Sequence, residues 1–92
     1  YKCVFEFDPG KSRTNQAKHG LGFLEAQELW AGPTVEAPLA WTPEERSLVV
    51  GLIAGKFWSA IITRRNEKIR IISVRRSRAA EILAWRRHHH EP

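Results

Sequence analysis

Lys68-Ile69-Arg70-Ile71-Ile72-Ser73-Val74-Arg75-Arg76-Ser77-Arg78 joins a β-branched run to a cluster of guanidinium groups. Its first seven residues alternate, with Ile69, Ile71 and Ser73 on one side and Arg70, Ile72 and Val74 on the other, which is the period of a strand. Arg75, Arg76 and Arg78 stand where that strand ends, and Ser77 is placed to cap a following helix. Arg offers a planar fork of donors that matches a phosphate, and a strand fixes where the fork points. The cluster fits a solvated basic strand end equally well, and the run alone does not separate the two readings.

Upstream, residues 46–53 and 57–64 read as two more strands, with turns at 54–56 and 65–67, so that the three strands form a meander. Centring the second turn on Asn66 pairs Arg64 with Lys68, Ile62 with Arg70, Ala60 with Ile72 and Trp58 with Val74. The other face then carries Thr63, Ile61, Ser59 and Phe57 opposite Ile69, Ile71, Ser73 and Arg75, and is expected to lie under the helices. The first face, with Arg64, Lys68, Arg70 and Arg76 around Trp58, Ile62 and Ile72, is expected to be open. It would then form a basic-rimmed platform suited to RNA. A slip of one residue exchanges the partner faces.

Residues 1–7 alternate as a half-buried strand, Tyr1, Cys3, Phe5 and Phe7 against Lys2, Val4 and Glu6. Asp8-Pro9 opens a polar surface helix that runs to Lys18 or His19 and stops at Gly20. A second helix over 23–31 follows Gly22, anchored by Phe23 and Trp30 at about 1.5–3 kcal/mol each if fully buried. Gly32-Pro33 ends it. Residues 34–43, with Pro38, Trp41 and Pro43, read as an irregular connection. A last helix spans 77–87, with Glu81 in its first turn and Arg86 and Arg87 in its last, as the helix dipole favours.

At 92 residues the chain is expected to form one domain, 1–92. Fifteen Lys and Arg against ten Asp and Glu give a net charge of +5, which suits nucleic acid or an acidic protein segment. Cys3 is the one cysteine, so the fold uses no internal disulfide. No apolar run has the length of a membrane span and no signal-peptide pattern opens the chain, so a cytoplasmic location is expected. Residues 88–92, beginning His88-His89-His90, read as a native tail or a tag remnant without assigned function, and no cofactor is implied.

Several motifs fall in one order: Phe5-Glu6-Phe7-Asp8-x-x-Lys11, Asn15, Lys18-His19-Gly20, Phe23-x-x-Ala26, Glu45-Arg46, Gly51, and Ile69-Arg70-Ile71-Ile72-Ser73-x-Arg75-Arg76. In this order and spacing the chain resembles, over almost its whole length, the BrnT family of toxins from bacterial type II toxin–antitoxin pairs. The resemblance implies an α+β, RelE-like ribonuclease fold: a small antiparallel sheet of the N-terminal strand and the meander, two N-terminal helices and a C-terminal helix. It implies RNA cleavage without a metal. It also implies a BrnA-like antitoxin that neutralises the toxin in a hetero-oligomer and represses the shared operon.

By the same resemblance Arg75 and Arg76 hold the scissile phosphate and stabilise its developing charge. Glu67 matches an acidic position that could serve as a base, although a turn glutamate is also simply solvated. Lys18 and His19 could reach the site, with His19 in a catalytic part. A His before a Gly cap also serves the helix dipole. Lys18, Arg64, Arg70 and Lys68 are the candidate RNA-binding cations. Ser73 belongs to the same block or bonds backbone in the core, and Asp8, Asn15 and Glu45 read as structural. Two positions depart from the family: Phe7 where Trp is frequent, a packing change, and Gly22 where Ser is frequent. The second departure should cost the second helix a side-chain cap worth a few tenths of a kcal/mol. The competing reading is a non-catalytic basic module that binds an acidic protein or nucleic acid. DNA reading ranks behind both, since no helix-turn-helix pattern is visible.

Overall fold

Two tight turns set the sheet. Ala54 and Gly55 have φ of 51° and 78°, and Asn66 and Glu67 have φ of 49° and 65°. Positive φ at both central residues is what type I′ hairpin loops require. In the computed structural model, which describes residues 4–40 and 44–89, these turns join β3 (Arg46–Ile53), β4 (Lys56–Arg65) and β5 (Lys68–Arg76). Because the second turn has two residues and not three, Arg65 rather than Arg64 faces Lys68. Near the turn Arg64 pairs with Ile69, Thr63 with Arg70 and Ile62 with Ile71.

The register then shifts again. Ile61 pairs with Ser73, Ala60 with Val74, Ser59 with Arg75 and Trp58 with Arg76, so Ile72 is the extra residue of a β-bulge. The expected faces are therefore corrected. Trp58, Ala60 and Ile62 of β4 join Ile69, Ile71 and Val74 of β5 in the core under the helices. Ile62 is 0% exposed and Trp58 8%, so the β4 face expected to be open is the covered one, while Ile69 and Ile71 of β5 lie under the helices as expected. Phe57, Ser59, Ile61 and Thr63 lie on the other side with Arg70, Ser73 and Arg75.

The sheet is mixed and five-stranded, in the order β1-β5-β4-β3-β2, where four antiparallel strands were expected. β1 (Phe5–Glu6) runs parallel to β5, with Phe5 beside Ile69 and Glu6 beside Arg70. β2 (Val35–Leu39) pairs antiparallel with β3, in a segment expected to be irregular. Pro38 lies within it, tolerated because β2 is an edge strand with one side free of ladder bonds. Trp41 and Pro43 lie outside the described residues.

α1 (Pro9–His19) begins as expected at Asp8, whose Oδ1 accepts from the Gly10 N–H at 2.8 Å and the Lys11 N–H at 3.3 Å. It ends at Gly20 with φ of 87°. The expected second helix divides into α2 (Phe23–Ala26) and a 3-10 turn over Gln27–Ala31. That turn comes close to the sheet at Gly51, where a Cβ would stand 3.0 Å from Leu29 Cδ2. Gly22 does not leave α2 uncapped. Ser12 Oγ on α1 accepts from the Phe23 N–H at 2.8 Å, and a Cβ on Gly22 would press on Gln16 Oε1 and Ser12 Oγ at 3.2 and 3.3 Å. Leu21, Phe23, Ala26 and Leu29 close the core from this side. Trp30 is half-buried against Phe5, with ring centroids 5.1 Å apart.

α3 (Ala79–His88) lies on the opposite face. Arg78 is its N-cap in place of Ser77, and the helix includes His88, where a tail was expected to begin. It has no buried residue. Trp85 tethers it, packing edge-on to Phe57 at 5.1 Å and donating Nε1–H to the Pro33 carbonyl at 3.0 Å. Among the described residues no helix is long and apolar enough to cross a membrane.

Candidate functional site

Strict alternation would send residues 70 and 75, five apart, to opposite sides of β5. The extra residue at Ile72 reverses the phase, so Arg70, Ser73 and Arg75 share one face while Ile69, Ile71 and Val74 share the other. Arg70 is half-buried, 3.8 Å from Glu6, its neighbour on β1. A bulge that re-aims side chains in this way is a feature of sheet edges beside working sites.

Alongside the bulge runs α1. Lys11, Thr14 and Lys18 are spaced to share one side of the helix, and with Asn15, His19, Ile72 and Ser73 they line a groove of about 230 Å³ between α1 and β5. Asn15, buried at its base, holds the helix to the strand: Nδ2 donates to the Leu21 carbonyl at 2.7 Å and the Val74 carbonyl at 2.9 Å, and Oδ1 accepts from the Val74 N–H at 3.1 Å. The groove is therefore floored by a rigid contact and rimmed by cations.

Arg75 is gripped by α3. Its Nη1 and Nη2 donate to the two carboxylate oxygens of Glu81 at 2.8 and 2.7 Å. Glu81 also accepts from the Ser59 hydroxyl at 2.7 Å and the Arg78 N–H at 2.9 Å, and Ser77 Oγ lies 2.7 Å from Ser59 Oγ. Burial alone would raise the Glu81 pKa. The Arg75 fork, the Arg78 N–H and the Ser59 hydroxyl outweigh it and hold the group at about 2. A carboxylate held so low is a fixed anion that orients Arg75 and not a general base. With the Arg76 carbonyl at 3.2 Å, these contacts use three of the five N–H donors of Arg75.

The other candidates fall elsewhere. Arg76 leaves the opposite face to Arg75: its guanidinium carbon lies 5.4 Å from the Trp58 ring centroid, and its Nε donates to the Phe57 carbonyl at 3.2 Å. Arg64 is on that face too and is paired with Glu36 on β2, Nη2 to Oε1 at 2.8 Å. Lys68 is exposed on the Arg70 side, toward the hairpin end. Glu67 sits in that hairpin turn, exposed, roughly 25 Å from Arg75 along the strand. The structure thus puts Arg70 and Arg75 on one face of β5 with Ser73, and Ser73 in turn lines the groove that holds Lys18 and His19. Arg64 and Arg76 lie on the other face and Glu67 in the hairpin turn.

Sequence reasoning did not single out Lys11, Thr14 or Glu81 as parts of a site. The first two were legible in the helical spacing that they share with Lys18, and Glu81 in its place three residues after the N-cap. Among the described residues no group of three His, Cys, Asp or Glu comes together to hold a metal ion.

No curated protein matches the chain. A family model described as "Ribonuclease toxin, BrnT, of type II toxin-antitoxin system" matches residues 7–81, from the residue after β1 through the bulge and Arg75 to Glu81. With most of its length matched, the chain belongs to the BrnT family of ribonuclease toxins of type II toxin–antitoxin systems.

Proposed function

We propose that the chain is an endoribonuclease toxin of RelE-like fold that cleaves RNA in the cytoplasm without a metal and is neutralised by a BrnA-like antitoxin. The observation that carries the reading is the bulge at Ile72, which gathers Arg70, Ser73 and Arg75 on one face, Ser73 also lining the groove of Lys18 and His19. In the reaction the 2′-hydroxyl oxygen attacks the adjacent phosphorus and the bond to the 5′-oxygen breaks, giving a cyclic phosphate and a free 5′-hydroxyl. One proton leaves the 2′-oxygen and one reaches the 5′-oxygen. Arg70 and the remaining donors of Arg75 bind the phosphate oxygens and take up the charge that builds on them. Lys11 and Lys18 hold a neighbouring phosphate, and His19 is the imidazole of the groove that can move a proton. Lys68 extends the basic path along the RNA. Glu67, Arg64 and Arg76 stand outside this centre.

The test is cleavage of total RNA by wild type, Arg70→Ala and His19→Ala. Loss of cleavage in both folded variants supports the site, and wild-type rates in both would remove it. A module that binds without cutting is the second reading, favoured by one observation: Glu81 already engages Arg75 on both carboxylate oxygens. Intact RNA after incubation with wild type, together with tight RNA retention, would select it.

A further inference from the structure

One flank of α3 presents apolar side chains to solvent, and Arg86 on it reaches back over the Phe57 ring at 5.4 Å. Ala79, Ile82, Leu83 and Arg86 line a shallow groove there, at the i, i+3, i+4, i+7 spacing of one helix face. Leu83 is 48% exposed, although the inward side of the same helix is fully employed by Glu81 and Trp85. The surroundings are cationic: Arg78, Arg86 and Arg87 lie on or beside the helix. Its one acid, Glu81, is turned inward and neutralised by Arg75. We propose that this face is the seat of the antitoxin, through an amphipathic helix carrying apolar residues flanked by Asp or Glu. The inference rests on the antitoxin that membership of the family implies.

The charge pattern selects that occupant. A second copy of the chain meeting itself across a two-fold axis would set the arginines of α3 against the same arginines, with no free acid within Ala79–His88 to separate them. RNA would answer the arginines and leave Ile82 and Leu83 facing its charged backbone. A partner with both acidic and apolar side chains satisfies the whole face. The seat also lies on the helix that holds Arg75, so an antitoxin bound there stands beside the proposed centre.

The experiment measures binding of the antitoxin, co-expressed from the adjoining reading frame and purified, to wild type and to Leu83→Asp, Ala79→Glu and Arg87→Glu. Ala79→Glu places its charge in the first helical turn, where it favours folding, so it remains informative if Leu83→Asp is unstable. Weakening of about tenfold or more in Leu83→Asp or Ala79→Glu, with RNA cleavage unchanged and no longer suppressed by antitoxin, is the expected result. Wild-type affinity in Ala79→Glu and Arg87→Glu would overturn the proposal. So would a wild-type dimer that Leu83→Asp converts to monomer, or a loss of RNA binding in Leu83→Asp with antitoxin affinity intact. The comparison reads affinity, so it stands whether or not the wild type cleaves RNA.

Discussion

Asn15 pairs with both backbone groups of Val74, accepting its N–H at 3.1 Å and donating to its carbonyl at 2.9 Å. Among the described residues β1 accompanies β5 only at Ile69 and Arg70, and further along the same strand a side-chain amide takes the place of a neighbouring strand. Asn15 is buried, so Asn15→Ala would leave the Val74 and Leu21 groups without their partner in a place water reaches poorly. Chemical denaturation is expected to show a loss of about 2–4 kcal/mol. A loss under about 0.5 kcal/mol, the range of ordinary surface changes, would mean that water replaces the amide freely.

The bulge makes a prediction that distinguishes adjacent residues. Ile62 and Ile71 are buried in the core, so Ile62→Ala and Ile71→Ala should each cost about 2–5 kcal/mol. Ile61, one residue away on the other face and half-buried, should cost clearly less. Equal losses at 61 and 62 would contradict the register.

Much of this fold was legible. Asp8-Pro9 and Gly20 bracket α1, and alternation with turn residues located β3, β4 and β5, because each signal is local chemistry acting on its own neighbours. The facing of β4 and β5 was not legible. It depends on a two-residue turn at Asn66-Glu67 and on one unpaired residue at Ile72, and the energetic reason for both lies in distant packing. With Ile72 extra, Ile71 and Val74 both reach the core although they are three positions apart, an odd spacing that no period-2 pattern contains. β2 was hidden by Pro38, which argues against a strand unless the strand lies at an edge. For the site, the arginine cluster was visible but its division was not. Arg75 and Arg76 look equivalent in sequence, and one meets Glu81 while the other meets Trp58.

That division predicts unequal effects on RNA cleavage. Arg70→Ala and Arg75→Ala should each lower it at least about a hundredfold, as loss of a donor to transition-state charge does. Arg76→Ala, on the opposite face, should stay within about threefold of wild type, well inside what such a loss produces. Arg75→Ala also strands the Glu81 carboxylate, so its stability should fall, and Arg70→Ala is the cleaner probe of chemistry. Single-turnover cleavage beside thermal melts separates the two effects. A large defect in Arg76→Ala alone would move the centre to the Trp58 side.

Acid should release α3 first. Glu81 titrates at about 2 in the folded chain against an ordinary 4.5, so the folded state favours its ionised form. Its contribution is complete above about pH 4.5 and is lost as the pH falls toward 2, at most about 3 kcal/mol and reduced to about 2 or less by solvent screening of the partly exposed pair. The Lys11 and Gly10 N–H groups lower Asp8, and the Arg64 and Arg46 side chains lower Glu36 and Glu44, so these also weaken the fold in acid. Glu81→Gln keeps the size of the side chain and removes its titration. Compared with wild type it should be less stable at neutral pH, and the gap should close between pH 4.5 and 2. Trp85 reports on the same helix, since its ring packs on Phe57 and its Nε1–H reaches the Pro33 carbonyl. Its fluorescence should change over that interval in wild type, ahead of global unfolding, and hardly at all in Glu81→Gln. Parallel stability curves for the two proteins from pH 7 to pH 2 would show that the Arg75–Glu81 pair does not hold α3 to the sheet.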